Sequence, residues 1–251
     1  MTLAQRDIPN AESSEASPAG ASSSAILADN VVKFFGRFAA LRGASYNFAA
    51  GRLHVILGDN GAGKSTLLRI IAGLMQPSQG TVTVLGWKSL RRVAPRVGYM
   101  AHAPLLYDEL SGIENLRYFA GLYGIQDESV CRNAMQMVGL DPELTRRVGQ
   151  YSQGMRQRLS LARAVIHDPD VILLDEPFSN VDVRSAAEMA AVLGRLRDSG
   201  KTILLITHQA AVMESFADEF VTMSAGQIVS SSPQVHRVQA NGLQAATART
   251  R

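Results

Sequence analysis

Short runs of β-branched and other apolar residues recur along this chain, separated by stretches with helical spacing. The runs at Leu53–Leu57, Thr81–Leu85, Val97–Ala101, Val171–Leu174, Thr202–Ile206 and Glu219–Met223 predict strands. Their alternation with helical patterns predicts an α/β fold with a mostly parallel sheet flanked by helices. Between Ala101 and Val171 the strand signals stop. Gly112–Tyr123, Glu128–Val138 and a longer Gln153–His167 read there as helices. This block, about 102–168, predicts a helical subdomain inserted into the α/β core.

The two ends differ from the middle. Residues 1–25 are rich in Ser, Ala, Glu and Pro and predict a disordered tail. Near the other end Ala225-Gly226 reads as a turn and Gln227–Val229 as a last short strand. A polar tail is expected from 230 to 251. The ordered domain is thus expected over 26–229, without an internal repeat.

Composition then narrows the class. The 251 residues suffice for one core with an inserted subdomain. A formal net charge of +3, with Arg and Lys scattered among Asp and Glu, offers no basic stripe, so no nucleic-acid partner is expected. Cys131 is the only cysteine, which excludes an internal disulfide and fits a reduced compartment. His54, His102, His167, His208 and His236 do not sit at metal-ligand spacings. No apolar run approaches the roughly 20 residues that span a bilayer. The N-terminus lacks a basic region followed by an apolar block, so no signal peptide is expected.

The chemistry starts where the strand at 53–57 runs into Gly58-Asp59-Asn60-Gly61-Ala62-Gly63-Lys64-Ser65-Thr66, followed by a helical pattern. This is a phosphate-binding loop in its required setting, strand before and helix after. Its glycines let successive N–H groups converge on phosphate oxygens, and the helix N-terminus adds a favourable dipole. Lys64 is expected to reach the β- and γ-phosphates, Ser65 to ligate Mg²⁺ and Thr66 to donate to the α-phosphate. The run at 171–174 ends in Asp175-Glu176-Pro177. Two carboxylates leaving an apolar strand are costly to desolvate unless they face a cation or a reactive water. Asp175 fits the Mg²⁺-holding role, through water, and Glu176 the base that hydrolysis needs.

Between these motifs lies Tyr151-Ser152-Gln153-Gly154-Met155-Arg156-Gln157-Arg158, and the helix expected to follow it. This resembles the signature motif of the ATP-binding-cassette (ABC) ATPases. Gln153 replaces the first of the family's two glycines, and Met155 replaces its glutamine. The resemblance implies that Ser152 and Gly154 meet the γ-phosphate of ATP bound by a second ATP-binding subunit in a head-to-tail dimer. It also matches Asp182 to the aspartate of the D-loop and His208 to the histidine that senses the γ-phosphate. Lys33-Phe34-Phe35-Gly36 matches the aromatic loop that stacks on adenine, with Phe35 the expected ring and Phe34 and Phe38 as competitors. The resemblance covers about residues 28–229. It implies a P-loop NTPase core with an N-terminal antiparallel β portion, and a catalytic set of Glu176, His208 and Lys64.

One departure bears on the branch of the family. Where the family has a glutamine that touches Mg²⁺ and relays to the membrane subunit, this chain has His102. Either His102 supplies that contact or none is made. The stretch from His102 to Gly124, with the Tyr-Ser-Gln-Gly-Met form of the signature, is similar to the haem-exporter ATPases of cytochrome c maturation (the CcmA type). The resemblance implies ATP hydrolysis coupled to transport, through transmembrane permease subunits that hold the chain at the cytoplasmic face of the inner membrane. Other classes are ATPases of lipid, polysaccharide or drug exporters, soluble cassette ATPases of translation or DNA repair, and an inactive regulator. The soluble kind carries two cassettes in one chain or a long coiled-coil arm, neither of which is read here. Lys64, Asp175, Glu176 and His208 argue against inactivity.

Overall fold

The computed structural model describes residues 24–88 and 90–234. Two long strands, β1 (Ser24–Phe35) and β2 (Phe38–Ala49), form a hairpin turned at Gly36-Arg37. Then come β3 (Leu53–Leu57), α1 (Lys64–Ile71), β4 (Gln79–Val84), α2 (Leu90–Val93) and β5 (Val97–Met100). Helices α3 (Gly112–Leu122), α4 (Glu128–Met137) and α5 (Gln153–Val165) precede β6 (Val171–Asp175). The chain continues through α6 (Val183–Asp198), β7 (Thr202–Ile206), α7 (Ala210–Met213), β8 (Glu219–Ser224) and β9 (Gln227–Pro233).

The strands form two sheets. A three-stranded antiparallel sheet has the order β2-β1-β4, and a six-stranded sheet the order β5-β6-β7-β3-β8-β9. In the larger sheet only β9 runs antiparallel to its neighbour. Every residue of β6 and β7 is buried, which is why their sequences are apolar rather than alternating, save for Asp175 at the end of β6 and Thr202 at the start of β7. One core region packs Ile26, Phe48, Leu67, Ile70, Leu173 and Ile206, joining the small sheet and α1 to the large sheet. The other packs Leu116, Met135, Leu159, Leu174, Phe178 and Leu193, joining the same sheet to α3–α6. Since β5 and β6 are neighbours, the segment carrying α3, α4 and α5 leaves the sheet and returns beside its point of departure.

Helix starts follow local chemistry. Ser111 and Glu114 make a reciprocal capping box on α3, the Glu114 Oε2 accepting from the Ser111 N–H at 2.8 Å. Asp127 accepts from the Ser129 N–H at the start of α4, at 2.8 Å. Ser152 and Asp182 cap α5 and α6 in the same way.

Several expected boundaries are corrected. The first strand begins at Ser24, within the expected tail, because Ser24 pairs with Ala49; residues 1–23 lie outside the described region. The last strand continues to Pro233, because Ser230, Ser231 and Ser232 pair with Thr222, Val221 and Phe220. A backbone ladder on an exposed edge needs no apolar side chains. The rest of the expected C-terminal tail, and His236, lie outside the described residues. The strand expected at Thr81–Leu85 starts earlier and stops at Val84, since Leu85 turns to φ +49°. The helix expected to reach His167 ends at Val165. The pattern assigned no helix to 183–198, where α6 stands.

The junction of β5 and α5 leaves no room for a side chain. A Cβ on Gly98 would lie 2.2 Å from the Ala164 carbonyl oxygen and 2.9 Å from Pro169 Cγ. Gly98→Ala should therefore destabilise the fold by about 1–3 kcal/mol, the usual cost of overpacking, as a lowered urea midpoint. Gly121→Ala, in α3 with nothing within 4 Å of the added carbon, should leave the midpoint unchanged or raise it.

Candidate functional site

Strands β3, β6 and β7 all end at one edge of the large sheet, and the phosphate loop, the acidic pair and His208 follow directly from those ends. In an open parallel sheet this edge is where ligands bind. The loop requires glycine at two backbone positions. Gly58 has φ +142° and a Cβ there would lie 2.2 Å from the Met223 carbonyl oxygen; Gly63 has φ +97° and would bring one 2.6 Å from that of Ala40. The turn therefore packs directly against two other backbone segments.

The side chains converge. Lys64 is buried and folds back over the loop, its Nζ donating to the Gly58 oxygen at 2.6 Å and the Asp59 oxygen at 2.9 Å. Ser65 Oγ donates to Asp175 Oδ1 at 2.9 Å. Asp175 closes β6 at 2% exposure. Glu176 has φ +55°, and its N–H donates to the Ile206 oxygen at 3.0 Å, so the chain turns sharply while still bonded to β7. Its Oε2 accepts from the His208 N–H at 3.3 Å. Its Oε1 lies 3.3 Å from His208 Nε2, out of hydrogen-bonding alignment, leaving a buried oxygen with unused acceptor capacity. Burial holds the Glu176 carboxyl above the usual carboxylate range; the nearby His208 opposes this without cancelling it.

These groups share one cleft of about 640 Å³. Its walls are Asn60 to Thr66, Asp175, Glu176, His102 and His208, with Phe35, Phe38 and Ala40 from the β1–β2 hairpin. The volume is in the range of small-molecule sites. Phe35 pairs with Phe38 across the hairpin and both line the cleft, with Lys33 Nζ 5.5 Å above the Phe35 ring. Phe34 is not among the lining residues. Gly58 and Asp59 contribute their carbonyls to Lys64 rather than a wall. The hydroxyl of Ser65 beside the buried carboxylate of Asp175 is a hard-oxygen donor set that fits Mg²⁺.

Ser152, Gly154 and Asp182 are not in this cleft. Ser152 Oγ accepts from the Met155 N–H at 3.3 Å, and Asp182 Oδ1 from the Ser185 N–H at 3.0 Å. A Cβ on Gly154 would meet Ser185 Oγ at 3.6 Å. The starts of α5 and α6 thus form a second locus. Among lining residues that sequence reasoning did not name, Arg69 lies one helical turn beyond Ser65, a signal present in the spacing. Gln209 also lines the cleft, its Nε2 donating to the Phe178 oxygen at 3.1 Å, and nothing in one dimension marked it.

Because Glu176 is held above its ordinary pKa, its ionised form is penalised in the fold. The stability it contributes is present when it is protonated and lost as pH rises through its folded pKa. Glu176→Gln should therefore make the nucleotide-free protein more stable at neutral pH. That gain should shrink as pH falls into the ordinary carboxylate range, read as the difference in urea midpoints across pH. A difference independent of pH would contradict this.

A family model described as ABC transporter matches residues 41–179. The ABC transporter ATP-binding protein NatA of Bacillus subtilis is 36% identical over 197 residues, 76% of this chain and 80% of that protein. The bacitracin transport ATP-binding protein BcrA of Enterococcus faecalis is 32% identical over 208 residues, 81% of this chain and 68% of that protein. Among solved structures, a dimeric bacterial ABC transporter cassette superposes with a TM-score of 0.78 at 25% identity, over 84% of this chain and 99% of that one. A cassette dimer bound to ADP and Pi is similar in fold, with a TM-score of 0.77 at 24% identity over 84% of this chain and 99% of that one. The phosphate loop, acidic strand end and histidine on this sheet, together with these matches, place the chain in the ABC transporter family as an ATP-binding subunit.

Proposed function

We propose that the chain hydrolyses ATP in the cleft at the ends of β3, β6 and β7, and that two copies acting head to tail drive transmembrane permease subunits. The observation that supports this best is the meeting of Lys64, Ser65, Asp175, Glu176 and His208 in one cleft beside a phosphate loop. Phe35 and Phe38 offer ring faces for adenine. The N–H groups at the start of α1 receive the phosphates, and Lys64 leaves its two carbonyl partners for the β- and γ-phosphates. Ser65 and Asp175 hold Mg²⁺. The ion, when bound, neutralises charge on the phosphate oxygens. Glu176 takes the proton of the attacking water, and its raised pKa makes it a better base near neutral pH. His208 lies beside that carboxylate and senses the γ-phosphate. Ser152 and Gly154, at the second locus, serve the nucleotide of the other copy.

The helical unit over 102–168 is proposed to meet the membrane partners. It exposes the large side chains of Leu105, Tyr107, Tyr118, Leu122 and Tyr123, with the Tyr107 and Tyr118 rings in contact, and exposed apolar groups of this kind bind partners. No helix among the described residues is long and apolar enough to cross a membrane, so attachment at the cytoplasmic face through partners fits. For the substrate, the stretch from His102 to Gly124 supports haem export for cytochrome c maturation. The similarity to bacitracin transport proteins favours a second reading, a drug exporter.

Glu176→Gln should lower steady-state ATPase activity by roughly 10²-fold or more while ATP still binds, whereas Lys64→Ala should weaken binding itself. Phosphate release and equilibrium nucleotide binding measure the two effects; a glutamine variant at the parental rate would overturn the assignment of the base. The haem reading predicts that deleting the chain removes holo-cytochromes c and leaves b-type cytochromes present. A deletion strain with normal covalent haem staining moves the chain to the lipid, polysaccharide or drug exporters.

A further inference from the structure

Arg146 stands in the loop that leads into α5, exposed, with its guanidinium on two soft neighbours. Its Nη2 lies 2.9 Å from Met155 Sδ, and its Cζ sits 5.4 Å from the centroid of the buried Tyr151 ring. A thioether is a weak acceptor and a ring face offers only a cation–π contact, so neither neutralises the charge. Two arginines of α5 are engaged differently. Arg156 pairs with Asp108 at 2.7 Å, and Arg158 with Glu188 at 2.5 Å. Among the described residues Arg146 makes no ion pair.

Its position makes this informative. Met155 is in the first turn of α5, where its N–H is capped by Ser152, and that turn contains no acidic residue. A guanidinium beside the positive end of a helix is unfavourable unless an anion joins them. The anion does not come from this copy's own cleft, because Arg146, Tyr151 and Met155 are not among its walls. Met155 also stands where the signature of this family carries a glutamine, so the amide donors of that side chain are missing here. The guanidinium laid on the Met155 sulfur returns N–H donors to the same place.

We propose that Arg146 is a binding residue that acts across the dimer, its guanidinium meeting the phosphates of ATP held by a second copy of this chain. This rests on the head-to-tail reading above. Tyr151 and Met155 act as the seat that holds the planar group in place, so that little side-chain freedom is lost when the anion arrives.

The test is made in the Glu176→Gln background, where ATP should accumulate the dimer, followed by sedimentation velocity across ATP concentrations. Adding Arg146→Ala should raise the ATP concentration for half-dimerisation about tenfold or more, the scale of one lost charge-assisted hydrogen bond. Binding of a fluorescent ATP analogue to dilute monomer should be unchanged. Arg146→Lys should recover part of the loss, and Arg146→Met, which keeps apolar cover on Tyr151, should behave as Arg146→Ala. If the Glu176→Gln protein forms no ATP-dependent dimer, the head-to-tail reading fails and this inference with it. If it does and the Arg146→Ala and Arg146→Met proteins dimerise at the same ATP concentration, the assignment of Arg146 is wrong and the head-to-tail reading stands.

Discussion

The hydrogen bond from Ser65 to Asp175 joins the start of α1 to the end of β6, and it exists only if three strands finish level. Strand β7 lies between β3 and β6, and its last residue, Ile206, pairs with Ile56 on one side and Asp175 on the other. A slip of one residue in β6 would turn Asp175 to the opposite face and bring Leu174 to its place. What prevents the slip is apolar burial on both faces of β6 and β7, shared between the two core regions. The geometry of the cleft therefore depends on the packing of residues such as Leu173, Leu174 and Leu205, which do not line it.

Glu176 carries the cost of that arrangement. A residue with a side chain at φ +55° gives up on the order of 1 kcal/mol or more relative to its usual conformations. Its N–H keeps the Ile206 carbonyl, and its carboxylate reaches the His208 N–H, so two bonds hold the turn. The same turn buries the carboxylate beside Asp175, which is what raises its affinity for a proton. Strain, burial and basicity thus have one geometric origin.

The parts of the fold legible in the sequence were those with one dominant signal. Leu53–Leu57 and Thr202–Ile206 have the bounds expected of them, because a strand buried on both faces reads as a short, mostly apolar run, here with only His54 and Thr202 polar. The β1–β2 hairpin gives no such run. Its register shifts, as between Ala28 and Val31, break the alternation that periodicity needs, and only the family resemblance pointed to an antiparallel portion there. Helix α6 buries Ala186, Met189, Ala190 and Leu193, a helical spacing that the small alanines make weak as a sequence signal. The phosphate loop and the acidic pair were visible as contiguous motifs. Phe38 reaches the cleft only because the hairpin sets it opposite Phe35, and Gln209 only because β7 ends beside β6. Contacts made by topology leave no local trace.

The two loci are also joined by contacts. Arg158 of α5 donates to Ser185 Oγ and to Glu188, both on α6, at 3.2 and 2.5 Å. The start of α6 is reached from Glu176 through Phe178, which is fully buried and whose carbonyl accepts from Gln209. Gln209 follows His208, and its N–H is held by Thr207 at 2.9 Å. A chain of packed and hydrogen-bonded groups thus runs from α5 to the residues around Glu176 and His208. For two copies arranged head to tail, each would load the other's second locus with its own nucleotide. In the proposed head-to-tail arrangement, a phosphate lost from one cleft would remove a contact from the opposite copy's α5, and these contacts would carry the change to that copy's own carboxylate.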